Sequence, residues 1–300
     1  MVQRLDVEFE AEGGIRLRAW LFVPDSKATL LPAISMAHGY AGTREHGVER
    51  FARAFADAGF IVLLHDHRGF GSSEGEPRHD IDPWRQIADW RRVISFLESC
   101  EGVDTTRIGL WGTSYAGGHA IVLGATDRRL RCVVAQVPTI SGYEQGLRRI
   151  PPELVKSMEE AFANDERGQA RGEPPMQQAI VSHDPNVQAS YRAKDAMDFY
   201  LQPIPQGIWE NTVTQRSTRA ARMYEPGTWI SRVSPTPLLM VVSSHDTITV
   251  TDLALAAYEK ALQPKRLVML PGGHFDGYVK YFDESSSPAI AWFREHLSSP

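Results

Sequence analysis

Ser114, Asp246 and His274, in that chain order, have the residue types that acyl transfer requires. A serine hydroxyl is a weak nucleophile at neutral pH, so it needs a base within hydrogen-bond reach and a third group that orients the base. Ser114 stands in Gly112-Thr113-Ser114-Tyr115-Ala116-Gly117, directly after the apolar run Ile108-Gly109-Leu110-Trp111 and at the head of a helix-like stretch. A strand-to-helix turn of that sharpness holds a serine at strained dihedrals with its oxygen at the tip, and its close neighbours must be small. A serine that merely caps a helix is the plainer reading. The buried strand before it and the helix after it are the context that the nucleophile motif demands.

His274, in Pro271-Gly272-Gly273-His274-Phe275, follows the strand candidate 266–270, and Asp246, in Ser243-Ser244-His245-Asp246, follows the strand candidate 237–243. Each alone has a mundane reading, as a solvated loop histidine or a turn aspartate. Their conjunction with Ser114, each at the carboxyl end of a separate strand, points to a Ser-His-Asp relay. His38-Gly39-Tyr40-Ala41-Gly42 follows a further strand. A glycine there lets a backbone N–H point at a developing oxyanion, so the amides of Tyr40 and Tyr115 are the expected oxyanion hole. His38 is read as orienting and not as a base. Gly69, Gly71 and Gly75 do not give a dinucleotide fingerprint. His65, Asp66 and His67 alternate sides of a strand end and cannot easily converge on a metal.

These residues need a scaffold. Leu5–Ala11 and Ile15–Pro24 read as a hairpin joined at Gly13-Gly14. Short apolar runs then alternate with amphipathic stretches, the pattern of a parallel sheet covered by helices. The strand candidates are 33–37, 60–65, 107–111, 130–137, 237–243 and 266–270. The helix candidates are 44–58, 83–99, 114–125, 251–262 and 288–297. Residues 139–232 break the rhythm with charge, proline and no convincing strand, and contain helix-like pieces at 153–164 and 186–200. They are read as a helical cap insertion in a core formed by residues 1–138 and 233–300, since so long a structureless connection is unusual.

A net charge of −5 gives no electrostatic reason to expect nucleic acid or an anionic membrane as partner. A small acyl substrate fits better. The only cysteines, Cys100 and Cys132, are too few for a disulfide framework. The opening residues read as a strand, with neither a signal-peptide pattern nor a membrane-length apolar run following. The expectation is a cytoplasmic protein. Oligomeric state, homodimer included, is left open.

The segments at 38–42, 66–73, 112–117 and 273–274 together give a chain that resembles the α/β-hydrolase superfamily over nearly its whole length. Within it the chain is similar to esterases near dienelactone hydrolase and to the X-prolyl dipeptidyl-peptidase group. The resemblance implies a mostly parallel eight-stranded sheet with helices on both faces, a structural role for the turn at 66–73, and no cofactor. In two places the chain departs from the family pattern: Ala116 replaces a glycine, and Ser243 and Val250 flank the acid loop where Gly and Pro are frequent. A carboxylic ester is the first expectation for the substrate. A thioester, an amide or a C–C bond beside a ketone is open to the same triad, and a binding protein without chemistry is the alternative of a different class. Tyr143, Trp209 and Trp229, with Met197, Phe199 and Tyr200, are the aromatic and apolar candidates for the substrate pocket.

Overall fold

The computed structural model of the chain describes residues 1–298. In chain order the core begins with β1 (Gln3–Glu10), β2 (Arg16–Val23), β3 (Leu31–Ala37), α1 (Val48–Asp57), β4 (Ile61–His65), α2 (Pro83–Ser99), β5 (Val103–Thr113), α3 (Tyr115–Thr126) and β6 (Leu130–Gln136). Then come α4 (Gly142–Arg149), α5 (Pro152–Ala170), β7 (Gln177–Val181), β8 (Ala189–Tyr191), α6 (Lys194–Tyr200), β9 (Val213–Thr214) and α7 (Gln215–Arg222). The core resumes with β10 (Leu238–Ser243), α8 (Thr251–Lys260), β11 (Lys265–Leu270) and α9 (Phe282–Leu297).

Eight strands form one sheet in the order β1-β2-β4-β3-β5-β6-β10-β11, antiparallel only at the β1–β2 and β2–β4 pairings. The central strands are continuous apolar runs because both faces are covered. In β4, Ile61 and Leu63 enter the cluster packed by α2, α3 and α8, while Val62 and Leu64 enter the one packed by α1 and α9. This is the helix-covered parallel sheet that the alternation of runs and helices anticipates, with the eight strands that the resemblance to the α/β-hydrolases implies. Asp82 starts α2 by accepting from the amides of Trp84 and Arg85, with Pro83 in the first turn.

The structure corrects the reading in two regions. Residues 139–232 are not wholly helical: β8, β7 and β9 form a separate three-stranded sheet, and the helix expected over 186–200 is confined to α6. Helix α9 starts six residues before Pro288 and carries it inside. An interior proline costs about 3 kcal/mol, and the buried face formed by Phe282, Ser285, Ala289, Trp292 and Phe293 offsets it. No helix among the described residues is long and apolar enough to cross a membrane.

Candidate active site

The site lies where β3, β5, β10 and β11 end. Between β5 and α3, Ser114 adopts φ 57° and ψ −117°, a conformation that non-glycine residues hold only when their surroundings enforce it. Its amide donates to the Gln136 carbonyl at 2.8 Å, and its own carbonyl accepts from the Thr139 amide at 2.9 Å, so β6 and its following loop lock the bend. Gly112 is required because any Cβ there would overlap the Ala116 carbonyl. Ala116 itself is fully buried.

His274 Nε2 lies 3.0 Å from Ser114 Oγ, and Nδ1 lies 2.7 Å from Asp246 Oδ2. An ionised carboxylate only accepts, so Nδ1 carries the proton and Nε2 is free to accept from the hydroxyl. Asp246 is held from several sides. Oδ1 accepts from the amides of Ile248 (2.8 Å) and Thr249 (2.9 Å), and Oδ2 accepts from the Thr249 hydroxyl (2.8 Å). Burial works to raise this carboxyl, but the electrostatic pull and hydrogen bond of the His274 imidazole and the bonds from Thr249 outweigh it and hold it below its ordinary range. All three residues are buried. His245, the neighbour of Asp246, is exposed.

Thr249 was invisible to motif reasoning. The signal was local: a hydroxyl three residues after the aspartate, where a turn brings it back onto the carboxylate. The Thr249 hydroxyl also lies 3.1 Å from the Val137 carbonyl, so its one proton is shared between Asp246 and the residue that follows β6.

Where the oxyanion hole is expected, a Cβ on Gly39 would sit 2.8 Å from Ser114 Cβ, so only glycine allows this loop to approach Ser114. Neither the Tyr40 nor the Tyr115 amide donates to another group among the described residues. His38 is orienting in geometry. Its Nδ1 bonds the Gly39 carbonyl at 3.0 Å, its Nε2 accepts from the His67 amide at 3.3 Å, and burial, opposed by the Gly39 bond, lowers its pKa to about 4. The turn at 66–73 closes on itself through Asp66, which accepts from the amides of Arg44 (2.9 Å) and Ser72 (3.3 Å). His65 and His67 pack edge-on with Trp90, and His67 also meets His119.

The segment between β6 and β10 covers these loops. Tyr200 donates to the Tyr40 carbonyl (2.6 Å) and Trp209 Nε1 donates to the Ala41 carbonyl (2.8 Å). Phe199 stacks on Phe275, beside His274, with ring centroids 4.4 Å apart. Arg216 makes a two-pronged pair with Asp80. Between segment and core lies a cavity of about 650 Å³, lined on the core side by Ser114, Tyr40, Tyr115 and Thr249. Tyr143, Trp209, Trp229 and Met197 do not line it, whereas Phe199 and Tyr200 line a separate, much smaller hollow beside Ser114 and His274. Tyr143 is exposed, Trp229 packs against the core cluster, and Trp209 is spent on the Ala41 carbonyl. Aromatic character alone does not distinguish a side chain that anchors the segment from one that faces substrate.

The sequence model of the X-Pro dipeptidyl-peptidase (S15) family matches residues 13–276. The chain is 32% identical over 278 residues to the quorum-quenching protein AidA of Acinetobacter baumannii, covering 92% of this chain and 89% of that one. It is 28% identical over 282 residues to a thiohydrolase of Eupenicillium brefeldianum, again covering 92% and 89%. Among solved structures, the α/β hydrolase GrgF from Penicillium sp. sh18 superposes with a TM-score of 0.84 at 26% identity, covering 98% of this chain and 99% of that one.

Proposed function

The chain belongs to the X-Pro dipeptidyl-peptidase (S15) family, and on that premise we propose that it is a serine hydrolase of the carboxylesterase type. Ser114 is the nucleophile, His274 the base and Asp246 the group that orients it. The observation that carries the proposal is the unbroken relay from Asp246 through His274 to a strained serine that opens onto a cavity.

As Ser114 Oγ attacks the substrate carbonyl, its proton passes to His274 Nε2 and the C–O π bond opens to an oxyanion. The amides of Tyr40 and Tyr115 stabilise that charge, each by about 3 kcal/mol. His274 then gives its proton to the departing alcohol, leaving an acyl-enzyme. Water repeats the cycle and frees the acid. A thioester is the second reading, favoured by the thiohydrolase relative, because a thiolate leaves through the same steps. In a panel of matched acyl esters, thioesters and amides, Ser114→Ala should lower turnover by about 10⁴-fold or more while the thermal transition stays within a few degrees. A fluorophosphonate probe should label the wild type and not the variant. Near-normal hydrolysis by Ser114→Ala would refute the assignment.

A further inference from the structure

Five more acidic than basic side chains make the whole molecule negative, yet every charged side chain lining the cavity beside Ser114 is an arginine: Arg148, Arg149, Arg192 and Arg222. No aspartate or glutamate among the described residues lines it. Arg148 and Arg222 are paired, with Asp252 and Glu159, carboxylates that stand outside the lining. Arg149 and Arg192 form no ion pair among the described residues. Arg149 bonds the Gln145 carbonyl and lies 5.4 Å over the Tyr191 ring, while Arg192 donates to the carbonyls of Asp184 and Val187. Two guanidinium groups, both on exposed residues, therefore border the cavity with no carboxylate partner among the described residues.

Their position fixes where a ligand charge would sit. Ser114 is on the core floor, and all four arginines are carried by the opposite wall, at the end of α4, after β8 and at the end of α7. From the nucleophile the lining runs through Tyr115 to Tyr40 (5.6 Å between ring centroids), from Tyr40 to Tyr191 (6.1 Å), and from Tyr191 to Arg149. An anion held by Arg149 is thus separated from the scissile carbonyl by a chain of several bonds, with tyrosine rings along the way. A guanidinium fork suits a carboxylate or a phosphate.

We propose that this cavity selects substrates bearing an anionic group, carboxylate or phosphate, at the far end of a chain attached to the scissile carbonyl, with Arg149 and Arg192 as the residues that recognise it. The inference rests on the proposed hydrolase reading only for which end of the cavity holds the bond that breaks. The charge has two possible sources, the tip of the acyl chain or the leaving group, and two matched pairs of probes separate them. Binding to Ser114→Ala protein is measured by calorimetry for octanedioic acid monomethyl ester against its dimethyl ester, and for S-octanoyl-4′-phosphopantetheine against S-octanoyl-pantetheine.

The charged member of at least one pair should bind about tenfold tighter than its neutral partner. That advantage should shrink as ionic strength rises from about 0.05 to 0.5 M. The added double substitution Arg149→Gln/Arg192→Gln should bring the two affinities together, whereas the corresponding lysine pair should keep part of the preference. Binding is read on a variant that cannot turn over, so it is independent of whether the hydrolase reading stands. Equal affinities within both pairs, or a preference that survives the glutamine substitutions, would overturn the proposal.

Discussion

The carboxyl edge of the sheet and the segment that covers it are built on opposite principles. At the edge, polar groups are buried and the carboxylate among them is tightly committed: Asp246 accepts bonds from His274, Ile248 and Thr249, and the non-glycine residues Ala41, Ser114, Val137 and Val250, at loop bends, are held at positive φ. In the covering segment most charged groups lie at the surface, in pairs such as Lys156–Glu160, Lys194–Asp198 and Arg219–Glu166. Exposed pairs of that kind contribute about 0 to 1 kcal/mol each. Strain and buried polarity concentrate where geometry has to be exact to a fraction of an ångström. The segment instead joins the core through side chains such as Tyr200, Trp209, Tyr224 and Arg216, and its buried residues share one apolar cluster with the sheet.

The sharpest way to break this contrast is with acid. Burial is the main cause that lowers His46, His65 and His119 to about 3 and His38 to about 4, while the segment's one histidine, His183, is exposed. These core groups stay neutral when folded but take up protons near pH 6.5 when unfolded. Their contribution is complete above pH 6.5 and is lost as the pH falls toward 4 and 3, on the order of 2 kcal/mol for each by pH 5. Thermal unfolding followed from pH 8 to 4 should show the transition dropping steeply below pH 6.5. A flat profile would mean that the imidazoles are not sealed from water.

Next in size is Gly39→Ala. A methyl 2.8 Å from Ser114 Cβ forces the 38–42 loop away from Ser114, and under the proposed mechanism kcat should fall about 10²- to 10³-fold, as for loss of an oxyanion donor. Wild-type kcat in this variant would show that the loop does not touch the reaction. Tyr200→Phe is gentler, since it removes one donor to the Tyr40 carbonyl and keeps the ring. About tenfold in kcat should be lost with KM little changed, and affinity for a trifluoromethyl ketone should weaken in step with kcat/KM. A purely structural role would lower the melting temperature and leave the ketone affinity alone.

What the chain disclosed follows the same division. Strands such as 61–65 and 238–243 are apolar but for their last residue, and Gly-x-Ser, Asp246 and Gly273-His274 stand at the carboxyl ends of β5, β10 and β11, so the three hydrogen-bonded residues were legible from type and position. Strand β8 spans three residues and owes its existence to pairing with β7, a non-local contact with no signature in so short a window. Pro288 suggested a helix start, but burial of one helical face overrode it. Arg149 and Arg192 lie in unremarkable charged stretches, and their significance arises only when the fold turns them toward one space. Side chains that are chemically marked could be found in the chain, whereas those marked by their company could not.

The bonds from Tyr200 and Trp209 to successive carbonyls at 40 and 41 carry a consequence for substrate size. An acyl group too bulky for the segment to settle over would pull both donors off that loop. Such a compound would occupy the enzyme and yet react slowly, so tight binding and fast turnover should part company at a definite bulk. Two aromatic side chains outside the larger cavity would then gauge the bulk of what enters it.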